Sequence, residues 1–153
     1  MIVQVSHYGP FMHNLTAGFV RANLELYGLS HLRPSYEGLV YFNDTEINPD
    51  DEQSYDPGRP SFAGNFALFG HAQCWGGDGH CHDVVSGRRF DTRPSHPMTK
   101  AFRRVIVTRA LSIAVEQSDK LRISIITRTQ EDWEPDEDQR LLSCQGLQLA
   151  TFA

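Results

Sequence analysis

The feature that most constrains the fold is a two-residue alternation of apolar and polar side chains. Polar or charged residues separate the apolar positions of segment 19–27, which are Val20, Ala22, Leu24 and Leu26. Successive side chains of a β-strand point to opposite faces, so this period predicts a strand with one buried and one solvated face. Gly28 ends the pattern.

Further strand-like segments follow along the chain, separated by loops rich in turn-forming residues. Their positions are 2–5, 37–43, 61–69, 102–107, 121–128 and 141–152. Within them, Gly64 indicates a bulge or a close backbone approach. About seven short strands with at most one short helix predict a mainly β chain, an antiparallel β-sandwich.

One short helix is predicted over residues 109–116, immediately after a strand. Thr108 is a candidate N-cap for it. An apolar face at helical spacing comprises Leu111, Ala114 and Val115.

Two acidic segments, at about 43–60 and 131–139, are predicted to be exposed loops, because Asp, Glu, Pro and Gly dominate them. The chain of 153 residues is expected to form a single domain, residues 1–153. A net charge of -5 disfavours binding to nucleic acid or to an anionic membrane, since both need a basic face. Neither a membrane-spanning run nor a signal peptide is recognisable, which predicts either a cytoplasmic protein or a domain of a longer chain.

A cluster of thiols and imidazoles is the strongest chemical signal. Five candidate metal ligands fall within twelve residues: His71, Cys74, His80, Cys81 and His82. Mixed thiolate and imidazole ligation suits Cu(I), with Zn²⁺ second. The spacing between the cysteines differs from that of zinc fingers. The cluster therefore predicts a metal site without fixing its ligand subset.

Two alternatives remain open for the same segment. Cys74 and Cys81 are also placed for a disulfide across a glycine-containing turn, worth about 2.5 kcal/mol of loop-closure entropy. Alternatively, these residues have independent roles, with Trp75 and His96 as contacts for a ligand or partner. Cys144 is expected to be a buried apolar residue in the last strand.

Four segments, taken in order, resemble the C-terminal β-sandwich of the tyrosinase and polyphenol oxidase family. They are YEGLVYFNDTEIN, RPSFAGNFALFGH, RRFDTRPSHPMTKAFRRVIVTRALSIA and KLRISIITRT, and the resemblance covers about residues 36–128. In that family a separate helical domain holds two coppers with six histidines, and the sandwich covers the mouth of the copper site and keeps the enzyme latent.

The resemblance implies an accessory role, either shielding or copper handling, for a separate copper oxidase. It also implies that this chain alone does not oxidise phenols, because no two of its histidines are four residues apart and the predicted helix contains none. The other hypothesis is a small enzyme in a biosynthetic pathway that uses loop 70–82 for metal-dependent or acid–base chemistry.

Overall fold

The computed structural model describes residues 1–72, 94, 99–136 and 138–153. Within these residues the chain forms seven β-strands, one α-helix and one short 3-10 helix. The strands are β1 Ile2–Met12, β2 Arg21–Leu29, β3 Tyr36–Phe42, β4 Phe62–Leu68, β5 Ala101–Ile106, β6 Lys120–Thr129 and β7 Gly146–Phe152. Helix α1 is Thr108–Gln117, and the 3-10 helix is Glu52–Tyr55.

The strands form two antiparallel sheets, which confirms the predicted mainly β fold with one short helix. The four-stranded sheet has the order β1-β6-β3-β4, and the three-stranded sheet has the order β5-β2-β7. Alternating apolar residues of both sheets meet in one core, where Leu24 and Leu26 of β2 lie with Val40 of β3 and Ile125 of β6. All four are completely buried.

Gly64 lies at a bulge in β4, as its position predicts. The pairing register shifts there, so that Val40 faces Gly64 while Tyr41 faces Phe62. Gly64 has a φ of +147°, and a Cβ at this position would lie 2.7 Å from Cγ1 of Val105. Glycine is therefore required where the edges of the two sheets approach each other.

Helix α1 closes one end of the sandwich with Leu111 and Ala114, both buried in the main core. The prediction that Thr108 caps the helix is wrong. Val107 occupies the cap position, and no side chain caps the helix. The hydroxyl of Thr108 instead accepts a hydrogen bond from the backbone N–H of Ala22 at 2.9 Å, so this side chain ties the helix to β2.

Segment 43–60 differs from the exposed loop that its composition predicts. It crosses the outer face of the four-stranded sheet and buries Ile47 and Tyr55 there. Together with Leu39, Tyr41 and Ile126 these residues form a second, smaller core. Two apolar side chains are enough to cover the sheet face, because the acidic side chains of the segment other than Asp44 are exposed to solvent.

Asp44 anchors this covering segment. Its carboxylate accepts hydrogen bonds from Nε of Arg59 at 3.0 Å, from the Ser61 hydroxyl and from the backbone N–H of Glu46 at 2.9 Å. Burial alone would raise the pKa of Asp44, but the hydrogen bonds from Ser61 and Arg59 outweigh it and the pKa is lowered. The carboxylate is therefore charged and paired in the folded protein.

Asp44→Asn is expected to lower the free energy of unfolding by about 2 kcal/mol at neutral pH, because charge-assisted hydrogen bonds are lost. A lowered folded pKa means that Asp44 stabilises the protein above its ordinary pKa of 3.8, and that this contribution disappears as the pH falls through the lowered value. Urea unfolding of both proteins in neutral and acidic buffer measures the effect. The exposed Asp50→Asn is the control, and an undiminished deficit in acid would contradict the prediction.

Candidate functional site

One end of the sandwich brings together segments that are distant in the sequence. Strand pairing places Tyr36 opposite Leu68 and Leu29 opposite Ala101. Residues 30–35 and 69–72 therefore meet at the end opposite to α1. These two segments are called the histidine end below, because each contributes one histidine, His31 and His71.

Three hydrogen bonds fix the two segments of the histidine end to each other. The backbone N–H of His71 donates to the carbonyl of His31 at 2.7 Å, and that of Ala72 donates to the carbonyl of Arg33 at 3.2 Å. The N–H of Gly70 donates to the hydroxyl of Ser35 at 3.1 Å. A Cβ at residue 70 would overlap the carbonyl oxygen of Arg33, so this approach requires glycine.

The imidazole rings of His31 and His71 contact each other beside these hydrogen bonds. Their centroids are 5.6 Å apart, and the rings are nearly perpendicular at 80°. On its other side, His71 contacts the ring of Phe69 at a centroid distance of 5.7 Å. The Phe69 side chain itself is 75% exposed. His71 belongs to the predicted ligand set, whereas His31 lies outside it.

The environment of His31 favours its neutral form. Burial lowers the pKa of His31 below its ordinary value of 6.5, and repulsion by the charge of a protonated His71 lowers it further. Its Nε2 atom is shielded from solvent and has no hydrogen-bond partner within the described part of the chain. Nε of Arg33 and the hydroxyl of Tyr36 are likewise buried without a partner among the described residues, so segment 30–36 concentrates unsatisfied polar atoms.

The remaining residues of the predicted metal site lie outside the described residues. These are Cys74, His80, Cys81 and His82, together with the contact candidates Trp75 and His96. In the described ranges no group of three or more His, Cys, Asp or Glu side chains is placed to hold a metal ion. The described part of the chain also does not fit a paired copper centre, because α1 carries no histidine.

The other described histidines and Cys144 serve the fold. His7 Nδ1 lies 2.9 Å from the Ser124 hydroxyl, and His13 Nε2 lies 2.9 Å from the carbonyl of Ser118. Cys144 precedes β7 instead of lying in a strand, contrary to expectation; it is half-buried against the core. Its Sγ is 3.7 Å from the hydroxyl of Tyr8.

An open cavity of about 730 Å³ lies beside the histidine end, and Phe69 forms part of its wall. Its lining includes the charged side chains of Glu37, Glu52, Arg103 and Arg128. Arg128 pairs with Glu37 at 2.8 Å, and Nε of Arg103 donates to the carbonyl of Ala67 at 2.6 Å. The volume is in the range of small-molecule sites, although neither His31 nor His71 lines the cavity.

The chain matches no protein-family model, and no curated protein is significantly similar to it. No helix within the described ranges is long and apolar enough to cross a membrane.

Proposed function

We propose that this β-sandwich is an accessory domain for a partner copper oxidase, which covers the mouth of the oxidase active site and handles copper there. The order of the family-like segments supports this proposal, and so does the mainly β fold with two antiparallel sheets. Copper handling is assigned to segment 70–82, of which His71 and its immediate neighbours are described.

The exposure of the Phe69 side chain is the observation that carries the proposal. It is a large aromatic side chain that is 75% exposed, on a turn whose backbone is held by the hydrogen bonds of Gly70 and His71. Leu32, in the facing segment of the histidine end, is 52% exposed. Rigid exposed aromatic residues lose little conformational entropy on docking and commonly dominate the binding energy of an interface. Phe69 therefore gives the histidine end an apolar contact for a partner.

Inhibition of a type 3 copper oxidase that lacks its own covering domain tests the proposal. Catechol oxidation should fall as the sandwich is added, and Phe69→Asp should weaken the inhibition about tenfold or more, as for a binding hot spot. Ile106→Asp is the matched control, because Ile106 is 63% exposed at the other end of the sandwich. Absence of inhibition, or equal losses in both variants, would contradict docking through the histidine end.

The cavity of about 730 Å³ favours a second candidate, a small enzyme acting on a small molecule bound there. Such an enzyme would turn over its substrate without any partner and should not inhibit a separate oxidase, so the inhibition assay separates the two functions. The accessory domain should form no quinone from catechol on its own, even when copper is supplied.

A further inference from the structure

We propose that His31 and His71 together bind one Cu(I) ion at the histidine end. His31 lies outside the ligand set that the sequence predicts, so the inference adds a ligand from a different part of the chain. It rests on the copper-handling part of the proposed function and does not depend on docking to an oxidase.

The separation of the two rings fits a shared ion. When two imidazole nitrogens each lie about 2.0 Å from one metal ion, the ring centroids are roughly 5 to 6.5 Å apart, depending on the angle at the metal. The observed separation of 5.6 Å lies within that range. The two rings are therefore already close to the separation that a shared ion requires.

The backbone that carries the pair is already organised. The N–H of His71 donates directly to the carbonyl of His31, and the contact of Gly70 with Arg33 admits no side chain. The main chain at both ligands is thus tied together before any ion arrives. Preorganisation of this kind reduces the entropy lost on binding.

Nε2 of His31 is a second indication of a bound metal ion. Nε2 is shielded from solvent and has no hydrogen-bond partner among the described residues, although buried polar atoms in proteins are nearly always satisfied. A purely aromatic contact between His31 and His71 leaves this atom unexplained. A metal ion bound at Nε2 would satisfy it, since neutral imidazole is a common metal ligand.

The number of ligands selects the metal. Imidazole suits copper and zinc, but structural Zn²⁺ is almost always bound by four ligands. The described residues bring no third ligand to the pair. Cu(I) is stable with two nitrogen ligands in a nearly linear arrangement, which would widen the centroid separation of the two rings from 5.6 Å to about 6.3 Å.

Anaerobic titration with Cu(I) against a competing chelator tests the inference. His31→Ala and His71→Ala should each weaken binding by about tenfold or more, since loss of even an outer partner of a metal ligand has an effect of that size. His31→Phe should weaken binding equally while keeping the ring contact, which separates ligation from packing. His7→Ala, which removes a histidine bonded to Ser124, should leave the affinity unchanged.

X-ray absorption of the Cu(I) complex provides a second measurement. Two imidazole nitrogens should be detected in the Cys74→Ser/Cys81→Ser variant as in the wild type. Wild-type affinity in His31→Phe, or the absence of Cu(I) binding by the wild type, would overturn the inference. Oxidase inhibition measured on the same variants separates the outcomes. Wild-type affinity in His31→Phe contradicts only the inference, whereas absence of Cu(I) binding by the wild type also contradicts copper handling by the domain. Cu(I) binding without inhibition contradicts only the docking proposal.

Discussion

Replacing Tyr55 with alanine is expected to lower the free energy of unfolding by about 3 to 5 kcal/mol, as for other large aromatic residues removed from a core. Tyr55 is 3% exposed and packs with Ile47, Tyr41 and Ile126 on the outer face of the four-stranded sheet. Its loss would leave a cavity beneath segment 43–60. It would also weaken the hydrogen bond that the Tyr41 hydroxyl donates to the backbone carbonyl of Tyr55.

Chemical denaturation followed by circular dichroism measures the effect of Tyr55→Ala. Gln53→Ala is the matched control, because Gln53 belongs to the same 3-10 helix and is exposed. Its change should stay within about 0.5 kcal/mol, as for ordinary surface substitutions. If Tyr55→Ala were equally harmless, segment 43–60 would be a solvated loop after all.

Leu111→Ala in α1 is expected to lower the free energy of unfolding by about 3 kcal/mol, within the range for buried leucines. Leu111 is completely buried where the helix closes the sandwich, next to Val107 and Ala114. The backbone there is tied to β2 through Thr108, so the surroundings have little freedom to collapse into the cavity.

Ile113→Ala is the matched control for Leu111→Ala, since Ile113 is on the same helix but 38% exposed. Thermal unfolding should show a much larger decrease in Tm for Leu111→Ala than for Ile113→Ala. Comparable decreases would mean that the helix does not insert its Leu111 face into the core.

The α1 end and the face covered by segment 43–60 are both occupied by packing within the chain, which leaves the histidine end as the candidate functional surface. The end that carries α1 is closed by apolar packing, and the outer face of the four-stranded sheet is covered by segment 43–60. The histidine end exposes Phe69, and Nε2 of His31 has no hydrogen-bond partner there among the described residues. Exposed aromatic area and unsatisfied polar atoms both cost stability, so they are typical of surfaces that bind something.

The strands, the helix and the bulge follow from local patterns in the sequence. Alternation at Ala22, Leu24 and Leu26 specifies a strand because the side-chain period of a strand is a local geometric property. Gly64 marked the bulge for a similar reason, since the conformation it adopts is unfavourable for other residues. The predicted helix over 109–116 also depended only on local spacing and lies within α1.

Contacts between residues that are distant in the sequence are visible only in the tertiary structure. Forty positions separate His31 from His71, and no motif connects them; strand pairing in the sheets brings them into contact. In the same way, Tyr55 is buried although its neighbours are acidic, because an uncovered sheet face lies beneath it. The composition of a segment indicates only its average exposure. The burial of one side chain, and its contact with a particular partner, depend on residues that are far away in the sequence.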